Sequence, residues 1–171
     1  MTAMAIQSGY SGLGAWKSRQ VASGVSDDAT RLGNMLQSFL WPDSMQTATA
    51  QERYYQPLEA LLELYRECAV QNWDGEGAQA VSEATINEAV DLLFLFPSQL
   101  PTPSFLAEPS GAIAFEWYKG PNKVLVATVD GTHAVQFAAL LGEGNEAHGK
   151  ANCNGSLPKA IRDLLDQFLK L

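Results

Sequence analysis

The spacing of apolar residues changes once along this chain, and that change constrains the fold more than any other feature. Up to about residue 100, apolar side chains recur every three or four residues, which is the period of an amphipathic helix. Beyond Pro103 they recur at every second residue, as in Ile113, Phe115 and Trp117, which is the period of a half-buried strand. The sequence therefore predicts helices first and a sheet afterwards.

Three segments with helical spacing precede the change, at residues 27–40, 49–68 and 82–96. The second is the clearest, because Thr49 and Glu52 form a capping-box pattern at its start. Pro57 lies inside it. Either the helix kinks at Pro57, or it begins there with the proline in its first turn.

The strands read as a meander of short antiparallel segments. Strand spacing covers residues 113–118, 124–129 and 133–140, with a turn at residues 120–122 and a two-residue hairpin signal at Asp130-Gly131. A polar loop over 142–149 precedes a short edge strand at 150–153, and a last helix opens at Ser156. These elements predict an α+β fold: N-terminal helices, an antiparallel meander of four to five short strands, and a C-terminal helix packed on one sheet face.

The chain is predicted to divide unequally. Residues 1–25 contain too few large apolar side chains to offset an ordering cost of about 1–2 kcal/mol per residue. We expect a weakly ordered arm at 1–47, with one amphipathic helix, and an α+β domain at 48–171. Because the apolar face of that helix must cover something, a homodimer through residues 26–41 is one expectation.

Charge limits the classes of partner. Eleven Lys and Arg against nineteen Asp and Glu give a net charge of −8, which argues against direct nucleic-acid binding and against docking on an anionic membrane. Nine of the acids lie in residues 51–100, together with two bases. This segment predicts a protein partner with a basic surface, met by Glu59, Glu63 and Glu67, unless those acids are simply a solvated helix face.

Localisation follows from what the sequence lacks. The run Leu92–Phe96 ends at Pro97, so no apolar stretch reaches the length of a membrane span. No basic residue precedes Lys17, so a secretory signal is not expected. Two cysteines, Cys68 and Cys153, make neither a disulfide framework nor a zinc spacing. We expect a cytoplasmic protein.

Three sequence motifs follow one another between residues 72 and 117: Asn72-Trp73-Asp74-Gly75-Glu76-Gly77-Ala78, then Pro101-x-Pro103, then Gly111-x-Ile113-x-Phe115-Glu116-Trp117. The chain resembles a group of short bacterial proteins with an N-W-D-G-x-G-A opening, a helix, a proline-spaced step and a G-x-I-x-L/F-E-W strand. The resemblance covers about residues 72–170 and implies an architecture, without catalytic residues. Phe115 departs from the more usual aliphatic residue.

These motifs supply the candidate binding residues, which are Trp73, Asp74, Glu76, Glu116 and Trp117. On one interpretation the carboxylates of Asp74 and Glu116 form a polar site beside indole rings. On the other, which we favour, Asp74 caps the backbone of a glycine-rich turn while the tryptophans fill the core.

No catalytic residue, metal site or cofactor is predicted. His133, His148, Cys153 and Asp130 have the right chemistry for a nucleophile or metal site, but their spacing is not compact and no nucleophile-elbow motif surrounds either cysteine. We therefore expect a small acidic interaction protein that binds and neutralises or scaffolds a macromolecular partner, of the antitoxin, immunity or inhibitor type. The alternative is a small enzyme or ligand-binding domain with a polar site around Asp74 and Glu116.

Overall fold

The computed structural model describes residues 48–171. In chain order the elements are α1 (Ala48–Cys68), α2 (Glu83–Leu95), β1 (Ser104–Ala107), β2 (Ile113–Gly120), β3 (Lys123–Val129), β4 (Ala134–Leu141), β5 (Glu146–Asn152) and α3 (Lys159–Leu169). The α+β class, the antiparallel meander and the closing helix are confirmed. The predicted arm at 1–47, with its helix and the homodimer surface at 26–41, lies outside the described residues.

The order of strands across the sheet is their order along the chain, and every pairing is antiparallel. One row across all five strands joins Phe105, Phe115, Ala127, Phe137 and Gly149. Directly opposed residues point to the same side of a sheet. Odd-numbered residues of the strands therefore point to one face, and even-numbered residues to the other.

The helices pack on the odd-numbered face, which holds the core. The main contacts join α1 to β1, α2 to β2 and β3, and α3 to β3 and β4. The most deeply buried side chains come from both layers: Leu61, Ile86, Ile113, Phe115, Leu125, Val129, Val135, Ile161, Leu165 and Phe168. Fully burying each such large apolar side chain contributes about 1.5–3 kcal/mol, so this layer contact is the main stabilising feature of the domain.

Local signals set the helix ends. Ser82 caps α2, since its Oγ accepts a hydrogen bond from the Thr85 amide (3.1 Å). At the other end of the domain, the Lys119 ammonium donates to the Phe168 carbonyl of α3 (2.9 Å), where a cation also complements the helix dipole. Pro57 lies within α1, which begins upstream at Ala48, so the helix does not start at the proline.

Two predicted strand boundaries were wrong. His133 lies outside β4 with φ of 59°, and Gly131 has φ of 83°, so four residues rather than two connect β3 to β4. The edge strand begins at Glu146 instead of Lys150. Its residues are polar or small on both faces, so the sequence shows no apolar alternation there. Backbone pairing with β4 defines the strand.

No helix in the described part of the chain is long and apolar enough to cross a membrane.

Candidate functional site

The segment 72–78 is a closed loop between α1 and α2 whose polar side chains bind its own backbone. The Asn72 side-chain oxygen accepts a hydrogen bond from the Gly77 amide (2.6 Å), and the Asn72 amide donates to the Ala78 carbonyl (2.7 Å). Gly75 and Gly77 both have positive φ, a conformation that side chains disfavour. The most distinctive motif of the sequence thus specifies a loop shape.

The Asp74 carboxylate serves the same loop. Its Oδ1 accepts hydrogen bonds from the amides of Ala78 (3.0 Å) and Glu76 (2.8 Å). These backbone donors, that of Ala78 first, lower the pKa of Asp74 from its ordinary value. The carboxylate is a charged cap for the turn, which is the structural role that the sequence favoured. Glu76 contributes its amide, and its side chain is exposed.

Replacing Asp74 by Asn should reduce the amount of unfolding free energy that the protein loses between neutral and acidic pH. The pKa of Asp74 is lower in the folded than in the unfolded chain, so its contribution is complete above about pH 4 and is lost as the pH falls through the lowered folded-state pKa. Asn does not ionise, yet its Oδ1 can still accept both amide hydrogen bonds. We expect urea unfolding from neutral to acidic pH to show a smaller loss for Asp74→Asn than for the wild type. The control variant Glu76→Gln should lose as much free energy of unfolding in acid as the wild type. If the free energy of unfolding of Asp74→Asn depends on pH as that of the wild type does, the prediction is contradicted.

Both tryptophans of the motifs anchor neighbouring backbone through the indole N–H. Trp73 donates to the Gln79 carbonyl (3.0 Å) and Trp117 to the Pro101 carbonyl (2.7 Å). Trp117 is buried on the helix side of the sheet, edge-on to Phe96 at 4.8 Å between ring centroids. Its hydrogen bond links the Glu-Trp strand to the backbone of the proline-spaced step.

Glu116 lies away from this arrangement. It points to the face opposite Trp117, between Ser104 of β1 and Val126 of β3. Asp74 caps a loop that joins two helices of the covered side. The structure thus places the two predicted site carboxylates apart, one within a turn and one on the side of the sheet opposite the described helices.

The side of the sheet opposite α1, α2 and α3 is apolar where a solvent-facing strand face is ordinarily polar. We call it the open face and define it by the outward residues of β1 to β4: Leu106, Glu116, Tyr118, Val124, Val126, Ala138 and Leu140. Tyr118 is 63% exposed, and Leu106 and Leu140 are 47% and 40% exposed. The sequence carried this signal, because both halves of the alternation in β3 are apolar.

A shallow depression of about 300 Å³ lies on the open face between β3 and β5. It is lined mainly by Val124, Val126, Ala138, Leu140, Glu146 and His148. The floor is apolar, and the carboxylate and imidazole lie on the β5 side. This combination of an apolar floor and a polar border is typical of association surfaces.

The three predicted partner-facing acids lie together on α1. Glu59, Glu63 and Glu67 are exposed at four-residue spacing, so they form one stripe on the side of the helix opposite the buried Leu61 and Tyr65. The stripe faces away from the sheet, on the opposite side of the domain from the open face.

The Cys153 region lacks the electrostatics of a nucleophile. The Cys153 amide donates to the His133 carbonyl (2.9 Å), and its thiol contacts the Ser156 carbonyl (3.4 Å). Burial, and then the negative charges of Glu88 and Asp91, raise the pKa of the thiol. A raised pKa keeps the sulfur protonated and unreactive near neutral pH.

His148, on the open face, is remote from that region, and His133 interacts with Asp91. Burial raises the pKa of Asp91, against the opposing effect of the nearby His133. Among residues 48–171 no group of three or more His, Cys, Asp or Glu is positioned to hold a metal ion.

Glu88 of α2 is a buried carboxylate that sequence reasoning missed. It is 7% exposed, and neither carboxylate oxygen has a hydrogen-bond partner in the described part of the chain. Its neighbours Ile86, Ala89 and Val90 are apolar core residues, and the helical spacing around position 88 was the available signal. An unpaired buried carboxylate costs stability, so Glu88 is a weak point of the core.

Comparison with known proteins leaves the resemblance of residues 72–170 a prediction. The function of the chain is therefore inferred from the geometry of its own residues. No family model, curated protein or solved structure matches it.

Proposed function

We propose that this chain is a small non-enzymatic interaction protein of the bacterial cytoplasm, which binds a protein partner and neutralises or scaffolds it. Antitoxins, immunity proteins and inhibitors act in this way. The observation that carries the proposal is the open face, with Tyr118, Leu106 and Leu140 substantially exposed on one side of the sheet. Exposed apolar surface that is contiguous and bordered by polar residues is typical of protein–protein interaction sites.

The open face has the composition of a partner-binding surface. Val124, Val126 and Leu140 form an apolar centre on adjacent strands, and Tyr118 adds an aromatic side chain of the type enriched in binding hot spots. Glu116 and the charged residues of β5 form a polar rim around it. Burying each large apolar side chain against a partner would contribute about 1.5–3 kcal/mol.

The acidic stripe of α1 supports a basic partner. Glu59, Glu63 and Glu67 are exposed and add to the net charge of −8. A negative field raises the rate at which a basic protein reaches the surface, even when the acids lie outside the docking face. Apolar contact then provides affinity and the acids provide speed, so association should slow as salt is raised.

The alternative is a small enzyme or ligand-binding domain with a polar site around Asp74 and Glu116, and the geometry of the described residues does not favour that site. It needs the carboxylates of Asp74 and Glu116 to converge, whereas Asp74 is bonded to its own loop. The thiol of Cys153 has a raised pKa. The shifts keep Asp74 ionised and Cys153 protonated, so neither group is poised to exchange a proton near neutral pH.

Open-face substitutions test the proposal. A tagged full chain is expected to retain a stoichiometric partner from native lysate at low salt, and Tyr118→Ser/Leu140→Ser should weaken that binding by about tenfold or more. Tyr55→Ser is the matched control, because Tyr55 is 60% exposed on α1. Absence of any stoichiometric partner at low and moderate salt, or equal loss in both variants, would contradict the proposal.

A further inference from the structure

Among the described strands β5 is the last of the sheet, and the main helix contacts go to β1 through β4. Hydrogen bonds from Leu141 to Asn145 (2.8 Å) and from Cys153 to His133 (2.9 Å) identify the bonded pairs between β4 and β5. Antiparallel partners alternate between bonded and non-bonded pairs. The odd-numbered residues of β5 therefore bond inward to β4, and the even-numbered residues direct their backbone N–H and C=O groups outward.

The central outward residues are Glu146, His148 and Lys150, and all three are exposed. Glu146 and Lys150 lie at equal distances on either side of His148. If two such strands pair antiparallel about a two-fold axis at His148, Glu146 of each copy faces Lys150 of the other. Opposite charges directly across a strand pair are stabilising, and the two-fold axis forms the contact twice.

The inward residues of β5 leave room for a second strand. Ala147 and Gly149 are small and lie on the helix side of the sheet. The ring of Phe137 already occupies the space above Gly149, 2.7 Å from where a Cβ would be. No bulky side chain of β5 therefore projects on that side between two paired edges.

Charged side chains on an edge strand ordinarily prevent pairing. That protection requires like charges to face each other across the paired strands. In the pairing described here Glu146 faces Lys150, and these residues carry opposite charges. Lys150 also lies 3.7 Å from Asp130 of the same chain, in an exposed ion pair that leaves its ammonium open to a second carboxylate. The symmetry of these charges is the observation that favours a second copy over any other strand.

We propose that two copies of this chain pair antiparallel through β5, about a two-fold axis at His148, to form one continuous ten-stranded sheet. Three facing residue pairs would exchange about six backbone hydrogen bonds. The small area places this dimer among weak, concentration-dependent associations. Pairing uses the edge of the sheet and so goes beyond the proposed function, which uses its open face.

Charge reversal tests the pairing in the full chain by sedimentation velocity over a range of concentrations. Glu146→Lys sets two lysines against each other at both ends of the paired strands, and Lys150→Glu does the same with two glutamates. Each variant alone should dimerise at least about tenfold more weakly than the wild type. An equimolar mixture of the two should dimerise as well as the wild type, because every facing pair is then of opposite charge.

A backbone variant provides an independent test. His148→Pro removes an outward N–H and leaves the bonds to β4 intact, so it should abolish dimerisation while the monomer stays folded by circular dichroism. Ser104→Lys, on the exposed β1 edge at the far side of the sheet, is the matched control and should dimerise as the wild type does.

Each outcome decides the proposal. The proposal is supported if the single charge variants dimerise more weakly and their equimolar mixture recovers wild-type dimerisation. Loss of dimerisation in His148→Pro also supports it. A wild-type chain that is monomeric at all concentrations overturns it. A dimer insensitive to these variants, or a mixture that does not recover, also overturns it and assigns dimerisation to another surface. None of these results depends on whether the open face binds a partner.

Discussion

Gly111→Ala is expected to lower the free energy of unfolding by about 3 kcal/mol, the largest loss that we predict for a single substitution. Gly111 has φ of 83°, where a side chain costs about 1–2 kcal/mol. A Cβ there would also lie 2.9 Å from the Ala80 carbonyl oxygen. This neighbour is backbone between the glycine-rich loop and α2 and has little freedom to move, so overpacking should add about 1–3 kcal/mol.

Gly144→Ala separates the two causes. Gly144 has φ of 68° but has open space where the Cβ would lie, so only the backbone cost of about 1–2 kcal/mol applies. Urea denaturation followed by circular dichroism measures both variants. Equal losses at positions 111 and 144 would mean that the loop around Ala80 yields without cost, which would contradict the packing argument.

Glu88→Met is expected to have the opposite sign and to raise the free energy of unfolding by about 2 kcal/mol at neutral pH. The methionine has similar volume and removes a carboxylate whose two buried oxygens have no hydrogen-bond partner within residues 48–171. It also removes a negative charge near Cys153, which should lower the pKa of that thiol. Thermal or urea unfolding checks the first effect, and the pH dependence of thiol alkylation checks the second.

Glu63→Met is the control for Glu88→Met. Glu63 lies on the exposed stripe of α1, where substitutions usually change stability by less than about 0.5 kcal/mol. If Glu88→Met instead destabilises the protein, the Glu88 carboxylate has a stabilising partner in solution, and the account of it as an unpaired group is wrong.

Periodicity alone predicts most of the core, although it misses Val129, Leu165 and the buried Glu88. Apolar spacing in the sequence predicts a core of fifteen residues, and all are buried except Phe137: Leu58, Leu61, Tyr65, Ile86, Val90, Leu93, Ile113, Phe115, Trp117, Leu125, Val135, Phe137, Ile161, Leu164 and Phe168. Phe137 is half-buried because it lies near the edge of the sheet, where its ring packs on Gly149. Apolar spacing indicates which face a side chain takes, but how far the helices extend over that face depends on tertiary packing.

The candidate site was only partly predictable. The capping role of Asp74 follows from an acid next to glycine in a turn, and the hydrogen bonds to Glu76 and Ala78 agree with it. The outward β5 backbone and its charge symmetry depend on which residues pair with β4, and register is not visible in a polar strand. The separation of Asp74 and Glu116 likewise depends on which face of β2 the helices cover.

The order of strands in this sheet also has a consequence for how the chain reaches its fold. Successive strands are joined by connections of two to five residues, so each pairing closes a short loop at small entropic cost. Sheets built from such local contacts fold faster than those that join distant segments. As the chain leaves the ribosome, each hairpin can form as its second strand emerges. The last helix then arrives to cover β3 and β4.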